Sequence, residues 1–121
     1  MLDPLKRDLA SYHSAAASGN PDETGRAANA LYSEIETDLM MVDDQHWFGC
    51  YDPAVSARLQ QSADAFVPTL DDISSAAANF SGKVPEDVPA LVAQARQQQG
   101  AFIDALNAYA GQFGGDQIAQ P

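Results

Sequence analysis

Apolar residues recur along this chain at intervals of three and four in four separate segments, the spacing of one-faced α-helices. In the first, Leu5, Leu9, Tyr12 and Ala16 make a narrow stripe behind Asp3-Pro4, a capping candidate followed by proline at the first helical position. Ser18-Gly19-Asn20-Pro21 stops that helix and starts another. Asn20 can cap, Pro21 fits the first turn, and Glu23 stands where a capping box would place it. Asp22 and Glu23 also suit the positive end of the helix dipole. Ala28, Leu31, Ile35, Leu39 and Val42 then line one face, with Glu34 and Glu36 away from it and Asp38 at its edge.

The stretch Asp43 to Asp52 loses the helical period and reads as a loop. Asp52-Pro53 opens the third helix by the same cap-then-proline logic. Val55, Leu59, Phe66, Leu70, Ile73, Ala77 and Phe80 keep phase across Pro68, which falls on the opposite face. The retained phase favours one long helix bent at a solvent-facing Pro68 over two helices with a tight joint. Ser81 to Pro85 is a connection. The fourth helix begins near Pro85-Glu86-Asp87 and runs to about Phe113 on a stripe of Val88, Leu91, Val92, Ala95, Phe102, Ile103, Leu106, Tyr109 and Phe113. Gln99 falls inside that stripe and Gly100 beside it. Gly114-Gly115 ends the helix. The expectation is all-α: an up-and-down four-helix bundle with a short first helix, a single domain over 1–115 and a loose tail over 116–121.

Composition agrees with helix. Ala is abundant, β-branched residues are sparse, and 45% of the 121 residues are hydrophobic, which is ordinary for a globular chain. No apolar run reaches the length of a membrane span. Met-Leu-Asp-Pro-Leu-Lys-Arg carries charge where a signal peptide needs an apolar stretch, so a cytoplasmic protein is expected. A single cysteine, Cys50, excludes an internal disulfide.

Charge changes the picture more. Seventeen acids face six Lys and Arg, a net −11. Between Ala27 and Gly82 there are nine acids and one strong base, Arg58. That field argues against nucleic acid and anionic membranes as partners and for something basic. A halophilic or merely solvating surface would also be acid-rich and lysine-poor, and only Lys6 and Lys83 occur here.

Catalytic chemistry finds little to work with. Phosphate-cradling glycine motifs are absent, and Cys50 with His46 lacks an identifiable third group to orient a nucleophilic pair. Asp43, His46 and Cys50 have ligand-like spacing and His13 could join them. Two histidines and one cysteine are nevertheless too few for the usual metal sites of a bundle. No catalytic residue, metal or cofactor is expected.

The segment 43–52 is the best candidate for contact. Three acids accompany His46, Trp47, Phe48, Cys50 and Tyr51, and aromatic residues in a polar loop are good interface anchors. They could equally fold back to plug one end of the bundle. Glu34, Glu36, Asp38, Asp43, Asp44 and Asp52 form a run of six acids uninterrupted by Lys or Arg. Carboxylate rows of this kind can imitate a phosphate backbone and fill a basic groove. The expected surface is therefore Glu34, Glu36, Asp38, Asp43, Asp44, His46, Trp47, Phe48, Tyr51 and Asp52. The expected function is non-enzymatic docking and inhibition of a basic protein, in the manner of an immunity protein or a phage-type inhibitor of a nucleic-acid-acting enzyme.

Trp47-Phe48-Gly49, a W-x-G triplet near the middle of a small helical chain, resembles the signature of the WXG100 family of small exported helical hairpins. That resemblance implies a secreted structural or assembly component. The Gly19-Asn20-Pro21 break and the fourth helix depart from a hairpin. The family's C-terminal Tyr-x-x-x-Asp/Glu signal has no match after Tyr109, because Phe stands at 113. A homodimer or larger homo-oligomeric bundle is a further alternative.

Overall fold

The protein is an all-α four-helix bundle. A computed structural model describes the backbone of residues 3–46, 53–112 and 117–120, and their side chains except those of 39–46. The helices are α1 (Asp3–Ser18), α2 (Pro21–His46), α3 (Pro53–Ala77) and α4 (Val88–Gly111), with one turn of 3₁₀-helix, Pro85–Asp87, leading into α4. Among the described residues none of these helices is long and apolar enough to cross a membrane.

The α1–α2 turn follows its sequence. Gly19 takes a left-handed φ of 74°, and Asn20 Oδ1 accepts from the N–H groups of Asp22 and Glu23 at 3.0 and 3.2 Å. These are the capping bonds that satisfy the first free amides of a helix. The reciprocal half of the expected capping box differs. The Asn20 N–H donates to Ser18 Oγ at 3.2 Å, and the Ser18 hydroxyl in turn lies 3.4 Å from Glu23 Oε2. Thr24 is buried and its hydroxyl reaches the carbonyls of Ala15 and Asn20, 3.0 and 2.8 Å away, tying the two helices at their shared end.

Helix α2 runs on to His46, so the expected loop does not begin at Asp43. Loss of the apolar period is not loss of the helix. No Gly or Pro lies between Arg26 and Trp47, and Asp, Gln and His cost only tenths of a kcal/mol each in a helix interior, about 0.7 at most. The rest of that expected loop, Trp47 to Asp52, lies outside the described residues.

Helix α3 passes through Pro68 without interruption, and Pro68 sits on the exposed side as its phase predicts. The helix ends in a Schellman arrangement. Asn79 takes φ 57°, its N–H donates to the Ala76 carbonyl at 3.1 Å, and the Phe80 N–H reaches back to Ser75 at 2.9 Å. This reversal overturns the expectation for Phe80. Extrapolated helical phase puts it in the core stripe, but the chain has already turned, and Phe80 is 66% exposed.

The helices pack in chain order: α1 on α2, α2 on α3, α3 on α4, with a lesser contact between α2 and α4. The start of α2 meets the end of α3 at Gly25 and Ala77, as antiparallel neighbours require. Phe66 of α3 is fully buried at the centre. Its ring meets Tyr12 of α1 edge-on, with centroids 6.4 Å apart, and Phe102 of α4 at 5.7 Å. Leu5, Leu9, Leu31, Ile35, Leu59, Leu70, Ile73, Ile103 and Leu106 are among the other core side chains. Each such side chain contributes about 1.5–3 kcal/mol by leaving water.

Gln99 is buried in the α4 stripe where the sequence places it. Of the tail expected to be loose over 116–121, residues 117–120 are described, and these are held. Residues 117–120 lie along α4 with Ile118 buried against the core. Asn107 Oδ1 accepts from the Ile118 N–H at 2.7 Å, and Asn107 Nδ2 donates to the Ile118 carbonyl at 2.9 Å. A polar composition predicts a solvated tail only when no side chain is placed to receive its backbone groups.

Candidate protein-docking surface

The second helix brings two of the sequence-expected acids together and separates a third. Glu34 and Asp38 are one turn apart and both half-buried, whereas Glu36 is exposed. Asp38 follows Leu31 and Ile35 at helical spacing, so a carboxylate borders the apolar face of α2. Asp38 Oδ2 is buried without a hydrogen-bond partner.

Burial raises the Asp38 carboxyl to about 6. The negative charges of Glu34 and, from the packed face of α1, Asp8 push in the same direction, and the positive chain terminus opposes them. Asp8 was no part of the expected surface. Its only sequence signal is its position one residue before Leu9, at the edge of the α1 stripe. Among the described residues it pairs with its neighbour Arg7, Nε to Oδ1 3.7 Å, and the Arg7 side chain is itself 73% exposed.

Few cations balance this side. Among the described residues the ion pairs are Arg7–Asp8, Arg26–Asp22 at 3.0 Å and Lys83–Asp72 at 3.7 Å, and none involves Glu34, Glu36 or Asp38. Exposed pairs of this type are worth about 0–1 kcal/mol each and leave most of the field standing. Of the remaining expected residues, Asp43, Asp44 and His46 belong to the last turns of α2, where the backbone alone is described. Trp47, Phe48, Tyr51 and Asp52 lie outside the described residues altogether.

Two grooves are lined by described residues. One, of about 170 Å³, lies between α2 and α3 and is lined by Asp22, Gly25, Arg26, Asn29, Ser74, Ala77 and Ala78. That is below the usual range of small-molecule pockets, about 300–1,000 Å³. The other is an open trough beside α1 bounded by Arg7, Ser11, Ser14 and Glu23. Neither lining contains His, Cys or a pair of carboxylates. His13 is exposed on α1, and no group of three metal-ligating side chains occurs among the described residues.

No family model, no curated protein and no solved structure matches this chain. The Trp47-Phe48-Gly49 triplet lies outside the described residues, and a four-helix bundle departs from the hairpin of the family it resembles. What the surface can do follows from its own charge and shape.

Proposed function

We propose that this chain is a non-enzymatic binding protein that docks a basic protein on its acidic α1–α2 side and blocks it. Immunity proteins and phage-type inhibitors of nucleic-acid-acting enzymes act in this way. The observation that carries the reading is the Asp8, Glu34 and Asp38 group. It holds three carboxylates on adjacent helices, one with a buried unpartnered oxygen, and among the described residues its one ion pair is with the exposed Arg7. A partner Lys or Arg arriving there would supply the missing donor and relieve the mutual repulsion of the group. The net charge of −11 would steer that encounter.

Trp47, Phe48 and Tyr51, next to the acids in sequence, are proposed as the apolar anchors of the same interface. Capture of binding proteins from the native host at low salt, followed by titration of the purified partner, tests the reading. A basic partner should lose affinity with rising salt and with Asp38→Asn or Asp43→Asn/Asp44→Asn. A partner indifferent to both would refute it.

Self-assembly is the second reading, favoured by one observation: Phe80 and Val84 at the α3–α4 turn are large apolar side chains left 66% and 40% exposed. Sedimentation of the wild type and Phe80→Ser separates the two. Association lost in the variant would favour assembly.

A further inference from the structure

Helix α4 carries a second stripe unrelated to its core face. Gly100, Asp104, Asn107 and Gly111 recur at helical spacing, and each faces the segment 117–120. The way this segment is held is specific in kind. Asn107 takes both backbone groups of a single residue, Ile118, with one carboxamide. Gln120 Nε2 bridges the Gly100 carbonyl at 3.0 Å and Asp104 Oδ1 at 2.9 Å, and Gln117 Nε2 reaches the Asn107 carbonyl at 3.3 Å. The one side chain sunk into the core is Ile118, with its neighbours Gln117, Ala119 and Gln120 exposed. The strap passes within ordinary contact distance of the helix at both glycines. A Cβ on Gly100 would stand 3.6 Å from Gln120 Oε1, and one on Gly111 would stand 4.0 Å from Gln117 Nε2.

A backbone clamp, one aliphatic socket and one carboxamide contact two residues further on make a complete recognition surface for an extended peptide. We propose that this α4 stripe is a peptide-binding groove closed in cis by the chain's own 117–120 strap. Its occupant in trans is an extended segment of a partner protein with an aliphatic residue followed two places later by glutamine. The strap holds by one buried side chain, two part-buried hydrogen bonds to Asn107 and three exposed ones, few enough for it to open without unfolding the bundle. A second copy's identical strap is a poor competitor, because the tethered one acts at an effective concentration in the millimolar range. A partner segment meets the same competition and overcomes it by a better fit.

The test uses the full chain and a fluorescent synthetic peptide of residues 114–121. Ile118→Asp frees the groove of its own strap. The peptide should bind this variant saturably, bind the wild type roughly tenfold or more weakly because the tethered strap competes, and fail to bind Ile118→Asp combined with Asn107→Ala. In the wild type, hydrogen exchange at the Ile118 amide should be at least roughly tenfold faster than at Phe66 and Ile73. Absence of saturable binding would overturn the proposal, as would equal binding to all three proteins, or Ile118 exchanging at the rate of the core. Loss of the folded state in Ile118→Asp would also overturn it, since the strap would then be part of the bundle. Wild-type self-association abolished by Asn107→Ala would overturn the choice of a foreign partner.

Discussion

Gly25, in the first turns of α2, lies so close to Ala77 in the last turn of α3 that a Cβ on Gly25 would meet the Cβ of Ala77. The Ile73 carbonyl, one turn earlier on α3, would lie at an ordinary contact distance of 3.8 Å from the same point. A glycine inside a helix normally costs about 1 kcal/mol relative to alanine. At this position it allows two backbones to approach where α2 and α3 cross.

Gly25→Ala should therefore destabilise the protein by about 1–3 kcal/mol, despite the better helix propensity of alanine. Adding Ala77→Gly should recover part of the loss, since it removes the opposing methyl. Urea unfolding of the two variants measures both effects. A Gly25→Ala protein more stable than wild type would mean that the helices do not touch there.

Tyr12 meets Phe66 edge-on, but its hydroxyl is buried without a hydrogen-bond partner, and burial holds the phenol up to about 12, with Arg96 opposing. Tyr12→Phe keeps the ring contact and removes the unsatisfied group. It should leave stability unchanged or raise it by up to about 1 kcal/mol. Tyr12→Ala removes the ring and should cost about 3–5 kcal/mol. Thermal melts at neutral pH distinguish the two. A large loss in Tyr12→Phe would reveal a partner for the hydroxyl.

The Asp38 carboxyl, raised to about 6 when folded against 3.8 in an unperturbed side chain, makes a pH-dependent contribution of known sign. Folding disfavours its charged form. Its contribution is full below about pH 4 and is lost as pH rises through 6. Asp38→Asn should be more stable than wild type at pH 7 by about 1 kcal/mol, a figure reduced because the group is half open to solvent. The difference should vanish near pH 4. Chemical unfolding of both proteins from pH 4 to 7.5 checks it. A constant difference across that range would contradict titration of Asp38 as the cause.

Much of the fold was legible because caps and stripes coincide. Asn20 caps α2, Pro53 opens α3, and Leu59, Phe66, Leu70 and Ile73 are all buried. What was not legible depended on contacts between distant residues or on a local reversal. Periodicity carries no sign of the left-handed Asn79 that turns Phe80 outward, or of Asn107 waiting for Ile118 eleven residues later. Nor does it show Gly25 meeting Ala77 across the bundle. On the candidate surface, the spacing of Glu34 and Asp38 was readable as one face. The arrival of Asp8 required the packing of α1 on α2.

Asn79 itself is testable. Its side chain tolerates φ 57°, where most residues are strained by their Cβ. Asn79→Ala should lower stability by about 1 kcal/mol, and Asn79→Gly should leave it unchanged or slightly higher. If the two variants melt alike, the left-handed turn is not what ends α3.

The central claim is that an under-neutralised acidic side recruits a basic protein. The most direct measurement is the dependence of that affinity on salt, using the partner captured from the native host. The account predicts a steep loss between about 50 and 300 mM salt, where the screening length falls below 10 Å. It also predicts a shallower slope for Asp38→Asn and for Asp43→Asn/Asp44→Asn. An affinity that holds constant across that range, with wild type and variants alike, would contradict it.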